Sequence, residues 1–185
     1  MKKSFIIAAL ALASLTGCEK IKDKASKDIK ANGVKFEFEA VTGDVASKSA
    51  TIVKNAVTSS FSKTRTVDIS ELGKSELSDY ANKVSKIVAD NSLLKVTFTP
   101  AGNYTVTNLV FSAKGVTGSL SVPSYTVGSA FTPPANTNAY FESFVMKLID
   151  EKSIEVTVTG DTDAPKGTNV KISYENDLVI TVKLL

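Results

Sequence analysis

The sequence predicts a mainly β fold of the α+β kind, an antiparallel β-sandwich or curved sheet carrying two amphipathic helices. Three observations predict it. Near the C-terminus, Ile154, Val156 and Val158, then Val170, Ile172 and Tyr174, then Leu178, Ile180, Val182 and Leu184 alternate with other residues, as half-buried strands require. Further runs rich in Thr, Val, Tyr and Phe are cut at short intervals by Gly and Pro. Two other segments space their apolar residues at i, i+3 and i+4, the signature of one buried helix face.

The first element lies outside the fold. Lys2 and Lys3 precede an apolar run, Phe5 to Ser14, too short to cross about 30 Å of hydrocarbon, which takes roughly 20 residues. Residues 1–17 therefore read as a signal peptide. Residues 18–32 follow with interspersed Lys, Asp and Glu, only Ile21 and Ile29 as large apolar residues, and a closing Asn32-Gly33 turn signal, and they read as a flexible tether. The alternative is that its lysines lie on anionic headgroups. One globular domain, 33–185, completes the chain, and about 168 mature residues suit a single core.

Val34, Phe36, Phe38 and Ala40 alternate with Lys35, Glu37 and Glu39, which predicts the first strand. Residues 44–63 have no clean period and read as a loop or weak strand. "RTVDIS" is a short strand. Leu77, Tyr80, Ala81, Val84, Ile87 and Val88 then fall at helical spacing, with Ser70 or Ser75 as the cap and Asp90-Asn91 as the end, before the strand "LLKVTFT". "YTVTNLVFSAKG" and "GSLSVPSYTV" are further strands. The second helix runs through "ANTNAYFESFVMKLIDEKS" on Phe141, Phe144, Val145, Leu148 and Ile149. The strands "TNVKISYE" and "DLVITVKLL" are expected to form a hairpin about "END".

Leu15-Thr16-Gly17-Cys18 resembles the lipobox of bacterial lipoproteins. The resemblance implies a diacylglyceryl thioether on Cys18, cleavage between Gly17 and Cys18, and usually a third acyl chain on the new amino group. Two or more chains give stable attachment, whereas one holds only marginally. A secretory signal that happens to contain a Cys is the alternative. Cys18 is the only cysteine, which rules out an internal disulfide. Glu19 stands where the enterobacterial inner-membrane rule has Asp, so the resemblance implies the outer membrane, with its face undetermined. The body resembles small β-rich lipoproteins of the Bacteroidetes group through "VDISEL", "YANKVSKIVADNSLLKVTF" and "IEVTVTGDTDAPKGTNVKISY"; that likeness implies a bacterial source and a β-rich fold and carries no activity.

Composition excludes several function classes. The sequence has no His, which removes Ser-His-Asp triads, Cys-His pairs and His-ligated zinc, and no Trp for sugar stacking. With Lys2 and Lys3 gone the charge is 20 basic against 19 acidic, too even for a nucleic-acid surface. Asp161 and Asp163 have the spacing of two calcium ligands, but Ala164 and Pro165 occupy the next positions, so a polar turn is expected, with no metal and no cofactor. Asp68 with Glu71, and Asp150 with Glu151, are the pairs a carboxylate-only hydrolase would use. The segment 122–138 holds Tyr125 and Phe131 among three prolines, near Tyr140 and Phe141, and is the candidate contact for a glycan, a peptide or an envelope protein; the same rings would otherwise seal the core. The expectation is a monomeric, lipid-anchored, non-catalytic binding or structural module. A carboxylate-dependent envelope hydrolase and a lipid carrier are the alternatives.

Overall fold

The computed structural model describes residues 25–43, 59–127 and 136–184. Among the described residues, seven strands form two antiparallel sheets. One sheet has the order β1-β7-β3, from β1 (Ser26–Val41), β7 (Asn169–Lys183) and β3 (Val84–Thr99). The other has the order β2-β6-β4-β5, from β2 (Ser59–Asp68), β6 (Ser153–Thr162), β4 (Thr105–Ala113) and β5 (Leu120–Thr126). Helix α1 (Asn136–Glu151) and two 3-10 turns, Ile69–Leu72 and Ser75–Tyr80, complete the described fold.

The alternation read from the sequence locates the core. Phe36 and Phe38 of β1, Val170, Ile172 and Tyr174 of β7, and Ile154, Val156 and Val158 of β6 are all buried. The three-stranded sheet is longer than the four-stranded one, and α1 packs against the part of its inner face that the second sheet leaves uncovered. Phe36 meets Phe141 and Phe144 edge-on at 5.7 and 5.4 Å, and Phe141 lies 5.0 Å from Tyr174. Farther along, Phe38 and Tyr174 meet Phe111 of β4 at 6.0 and 5.9 Å. The predicted helix stripe, Phe141, Phe144, Val145, Leu148 and Ile149, is the buried face of α1, each side chain contributing about 1.5–3 kcal/mol of transfer free energy.

Both open flanks of the sandwich are closed by side chains. Between β1 and β2, Arg65 lies 4.6 Å from the centre of the buried Phe38 ring, donates from Nε to the Glu37 carbonyl at 2.7 Å, and forks onto Glu71 at 2.7 and 2.8 Å. Planar, two-pronged contact of that kind is what guanidinium does and ammonium does not. On the β3 flank, α1 supplies surrogates for a missing strand: Glu142 accepts the Ala89 amide at 3.2 Å and Asn138 donates to the Ala89 carbonyl at 3.1 Å. An edge capped in this way offers less to a foreign strand.

The structure corrects four expectations. The domain starts at Ser26 or before, since Ser26 to Ala31 pair with β7 and Ile29 and Ala31 are buried, so the stretch assigned to the tether up to 32 is partly sheet. The helix expected through Val88 shrinks to the 3-10 turn Ser75–Tyr80; Val84 begins β3, and Val88, which a helical stripe would bury, is 38% exposed. Neither Ser70 nor Ser75 caps what is left of that helix: the Ser75–Tyr80 turn has Lys74 at its cap position and no side-chain cap. The capped turn is the preceding one, Ile69–Leu72, where Asp68 Oδ1 accepts the Ser70 amide at 2.8 Å while Glu71 accepts the Asp68 amide at 3.1 Å. Finally, "END" is the middle of one continuous strand, so no hairpin forms there. Residues 44–58, the body of the expected loop or weak strand, lie outside the described residues; Ser59 to Lys63 belong to β2.

The "END" triplet has a specific setting. On one side β1 bulges between Ala31 and Val34, and on the other β3 bulges between Asp90 and Leu93. Gly33 (φ +63) and Asn91 (φ +51) take left-handed backbone at these bulges. Asp177 holds both: Oδ1 accepts the Gly33 amide at 2.8 Å and Oδ2 accepts the Asn91 side chain at 2.8 Å. Those bonds, the Asn91 side chain first, hold its carboxyl below the usual range.

Candidate functional site

Tyr125, proposed from sequence as a ligand contact, lies on β5 and is 5% exposed. Its position pairs with Val106, itself fully buried, and burial raises the hydroxyl's pKa, with the Val96 backbone pulling the other way. Tyr125 thus spans the two sheets from β5 toward β3, and its ring belongs to the core. The physical reason is a change of phase: Leu120 and Val122 are inward, Pro123 and Ser124 both face out, and Tyr125 is thereby brought inward, as Val106 and Leu109 are on the paired strand β4. Phe131, the other proposed contact, and Cys18, the lipidation site, lie outside the described residues.

The carboxylates weighed as ligands or catalysts are each engaged separately. Asp68 and Glu71 close the capping box, Glu71 also holds Arg65, and the Ser70 hydroxyl and then its amide hold Asp68 below the usual carboxyl range. Asp150 accepts the Asn82 amide at 2.8 Å, and Glu151 pairs with Lys147 one helical turn earlier. Asp161 accepts from Ser60 and Asn108 at 2.8 and 2.9 Å, whereas Asp163 accepts the Thr105 amide at 2.7 Å. The last two therefore fasten β2, β4 and the start of β4 to the β6 end, and their oxygens point to different partners. Among the described residues no three metal-ligating side chains converge.

Two concavities stand out. Where α1 meets both sheets, seven aromatic rings, Phe36, Phe38, Phe111, Tyr140, Phe141, Phe144 and Tyr174, enclose an apolar cavity of about 30 Å³ with Ala113, Leu120 and Val156. That is roughly the volume of one water molecule, against the 300 Å³ or more of ordinary ligand pockets. Burial raises the pKa of the Tyr140 hydroxyl, which lies beside the Ala113 backbone without a well-formed hydrogen bond. The second is an open groove of about 640 Å³ along the outer side of α1, floored by Ile87, Val116, Ala139 and Met146 and rimmed by Lys86, Glu142, Lys147 and Asp150. Sequence reasoning missed it. Its only sequence trace is the weakly apolar second face of α1, Ala139, Ser143 and Met146, and the turn that supplies Val116 comes from far along the chain.

The geometry defines a class, a two-sheet antiparallel sandwich with one end packed by a helix. Comparison with family models, with curated proteins and with solved structures gave no match.

Proposed function

We propose that this chain is a lipid-anchored, non-catalytic binding or structural module of a bacterial outer membrane, held through Cys18. The observation that carries the non-catalytic part is the bonding of the carboxylates: each one weighed above as acid, base or ligand is committed to a backbone amide, a hydroxyl, an amide side chain or a cation that holds the fold together. A group so engaged is a poor proton carrier, because moving its proton breaks a structural bond. The close-packed interior supports the same reading over lipid carriage, since a cavity of about 30 Å³ holds no acyl chain.

The anchor is tested with Cys18→Ser. The expected result is an unprocessed precursor that no longer incorporates labelled fatty acid and leaves the detergent-extracted membrane fraction. Unchanged acylation and partitioning would end the lipoprotein reading. Glycan or peptide hydrolysis by the purified protein, lost in Glu71→Gln, would instead revive the hydrolase.

A further inference from the structure

We propose that the end of the β1-β7-β3 sheet nearest Cys18 is a membrane-contact face that meets lipid phosphates, so that the sandwich stands on the bilayer instead of swinging freely above it. The inference rests on the anchoring reading and adds an orientation and a partner surface to it.

The argument begins with chain length. Ala25 is joined to the sheet, its carbonyl accepting the Leu184 amide at 2.7 Å, and Ser26 pairs with Lys183. Six residues lie between Cys18 and Ala25, so the seven steps from one to the other reach at most about 25 Å at ~3.5 Å each. The three-stranded sheet is itself about 50 Å long, taking 16 residues of β1 at ~3.3 Å each. The linker is therefore shorter than the sheet, and the end it leaves from is the end held near the headgroups.

The chemistry of that end fits phosphates. Lys183 donates its amide to the Lys83 carbonyl at 2.8 Å, which brings two exposed lysines to neighbouring strand ends, with Leu184, 45% exposed, beside them. The acids nearby are mostly engaged: Glu76 by Lys27, Asp28 by the Thr181 hydroxyl and Asp150 by the Asn82 amide. Formal charge at this end is close to balanced. Among the groups left without an ion-pair partner in the described residues, Lys83, Lys86 and Lys183 stand against Asp28, Asp79 and Asp150, of which Asp28 and Asp150 are each turned to a hydrogen-bond donor of the fold. Free ammonium groups around an exposed Leu suit an interface of phosphate oxygens over acyl chain.

The test is lysine modification of the mature, lipidated protein, read residue by residue by mass spectrometry. It compares detergent micelles with vesicles of phosphatidylethanolamine and phosphatidylglycerol, using a water-soluble acetylating reagent. Lys83 and Lys183 are expected to react about fivefold more slowly in the vesicles, the factor equivalent to ~1 kcal/mol per lysine at an anionic surface. Lys95, exposed opposite Ser173 and about 33 Å away along β7, should react equally in both. The same digest reads the acyl mass on Cys18. Its absence overturns the anchoring reading and this one with it, whereas an acylated chain with unprotected Lys83 and Lys183 overturns the contact face alone. Protection already present in detergent, together with a dimeric mass, would assign the face to a second copy and also overturn the proposal.

Discussion

Gly160 is where the packing of the four-stranded sheet can be tested most sharply. It sits in β6 directly opposite Phe61 of β2, and the Phe61 ring lies across it. A methyl group added at Gly160 would stand 2.5 Å from Phe61 Cζ and 3.0 and 3.1 Å from the two Cε atoms. Carbon atoms pack at about 3.5–4.0 Å, so the ring tip must retreat by about 1 Å. Phe61 is 1% exposed, which leaves it nowhere to go without moving neighbours. Overpacking of this kind costs about 1–3 kcal/mol, and the lower chain entropy of Ala over Gly returns about 0.5–1 kcal/mol. Gly160→Ala should thus destabilise by about 1–2 kcal/mol. In a Phe61→Leu background the obstruction is gone, and the same change should be neutral or stabilise by up to about 1 kcal/mol. The coupling between the two sites is then about 2 kcal/mol, well above the ~0.5 kcal/mol scatter of independent positions. Urea unfolding followed by circular dichroism, on the signal-free chain with Cys18→Ser, measures all four corners of the cycle. Equal cost of Gly160→Ala in both backgrounds would refute the ring-over-glycine contact.

Two further outcomes follow from the same structure. Tyr125→Ala should lose about 3–5 kcal/mol and Tyr125→Phe about 0.5–1.5 kcal/mol by urea midpoint, because the ring is core and only the hydroxyl is polar; an Ala variant as stable as the parent would return Tyr125 to the surface. The lowered pKa of Asp177 makes its contribution to stability fully present above the ordinary carboxyl value near 4 and lost as pH falls through the lower folded value. Unfolding midpoints between pH 6 and 2 should therefore fall less steeply for Asp177→Asn than for the parent, and parallel curves would show that the bulge contacts do not depend on its charge.

Much of the fold was legible in sequence because long stretches of the strands keep one phase. The alternations at Val34 to Ala40, Ile154 to Val158 and Val170 to Val182 mark inward residues, and the α1 stripe is the one that packs. The errors have one physical source. In β1 the buried positions run Ile29, Ala31 and then Val34, Phe36, Phe38, and in β3 Ile87, Ala89 and then Leu94, Val96, Phe98. Each bulge changes the inward residues from odd to even, so a period-two reading stops at Asn32-Gly33 and at Asp90-Asn91 and places a tether end and a helix end there. "END" misled for the matching reason: polar residues that serve the bulges of two neighbours have the composition of a turn. The candidate site was less legible. Whether Tyr125 faces out depends on which sheet covers β5, and the groove beside α1 joins β3, α1 and the β4–β5 turn, segments that no local pattern connects.

The paired bulges behave like two frameshifts placed side by side. β7 runs through the middle of the sheet in a single phase, with Val170, Ile172, Tyr174, Leu178, Ile180 and Val182 all inward, while the strand on each side changes phase at the level of Asn176. Removing one residue at Asn32 or at Asn91 would restore simple alternation with both halves of that strand still inward, whereas adding one beside the bulge as it stands would turn half of its apolar side chains to solvent, since a one-residue slip exchanges the faces. An added residue in this lineage should therefore be strongly selected against at these two places and a single deletion tolerated, although both are exposed, polar and loop-like in composition. An exposed Asn-Gly would ordinarily be counted among the most tolerant sites in a chain; here it sets the phase for every residue of β1 that precedes it.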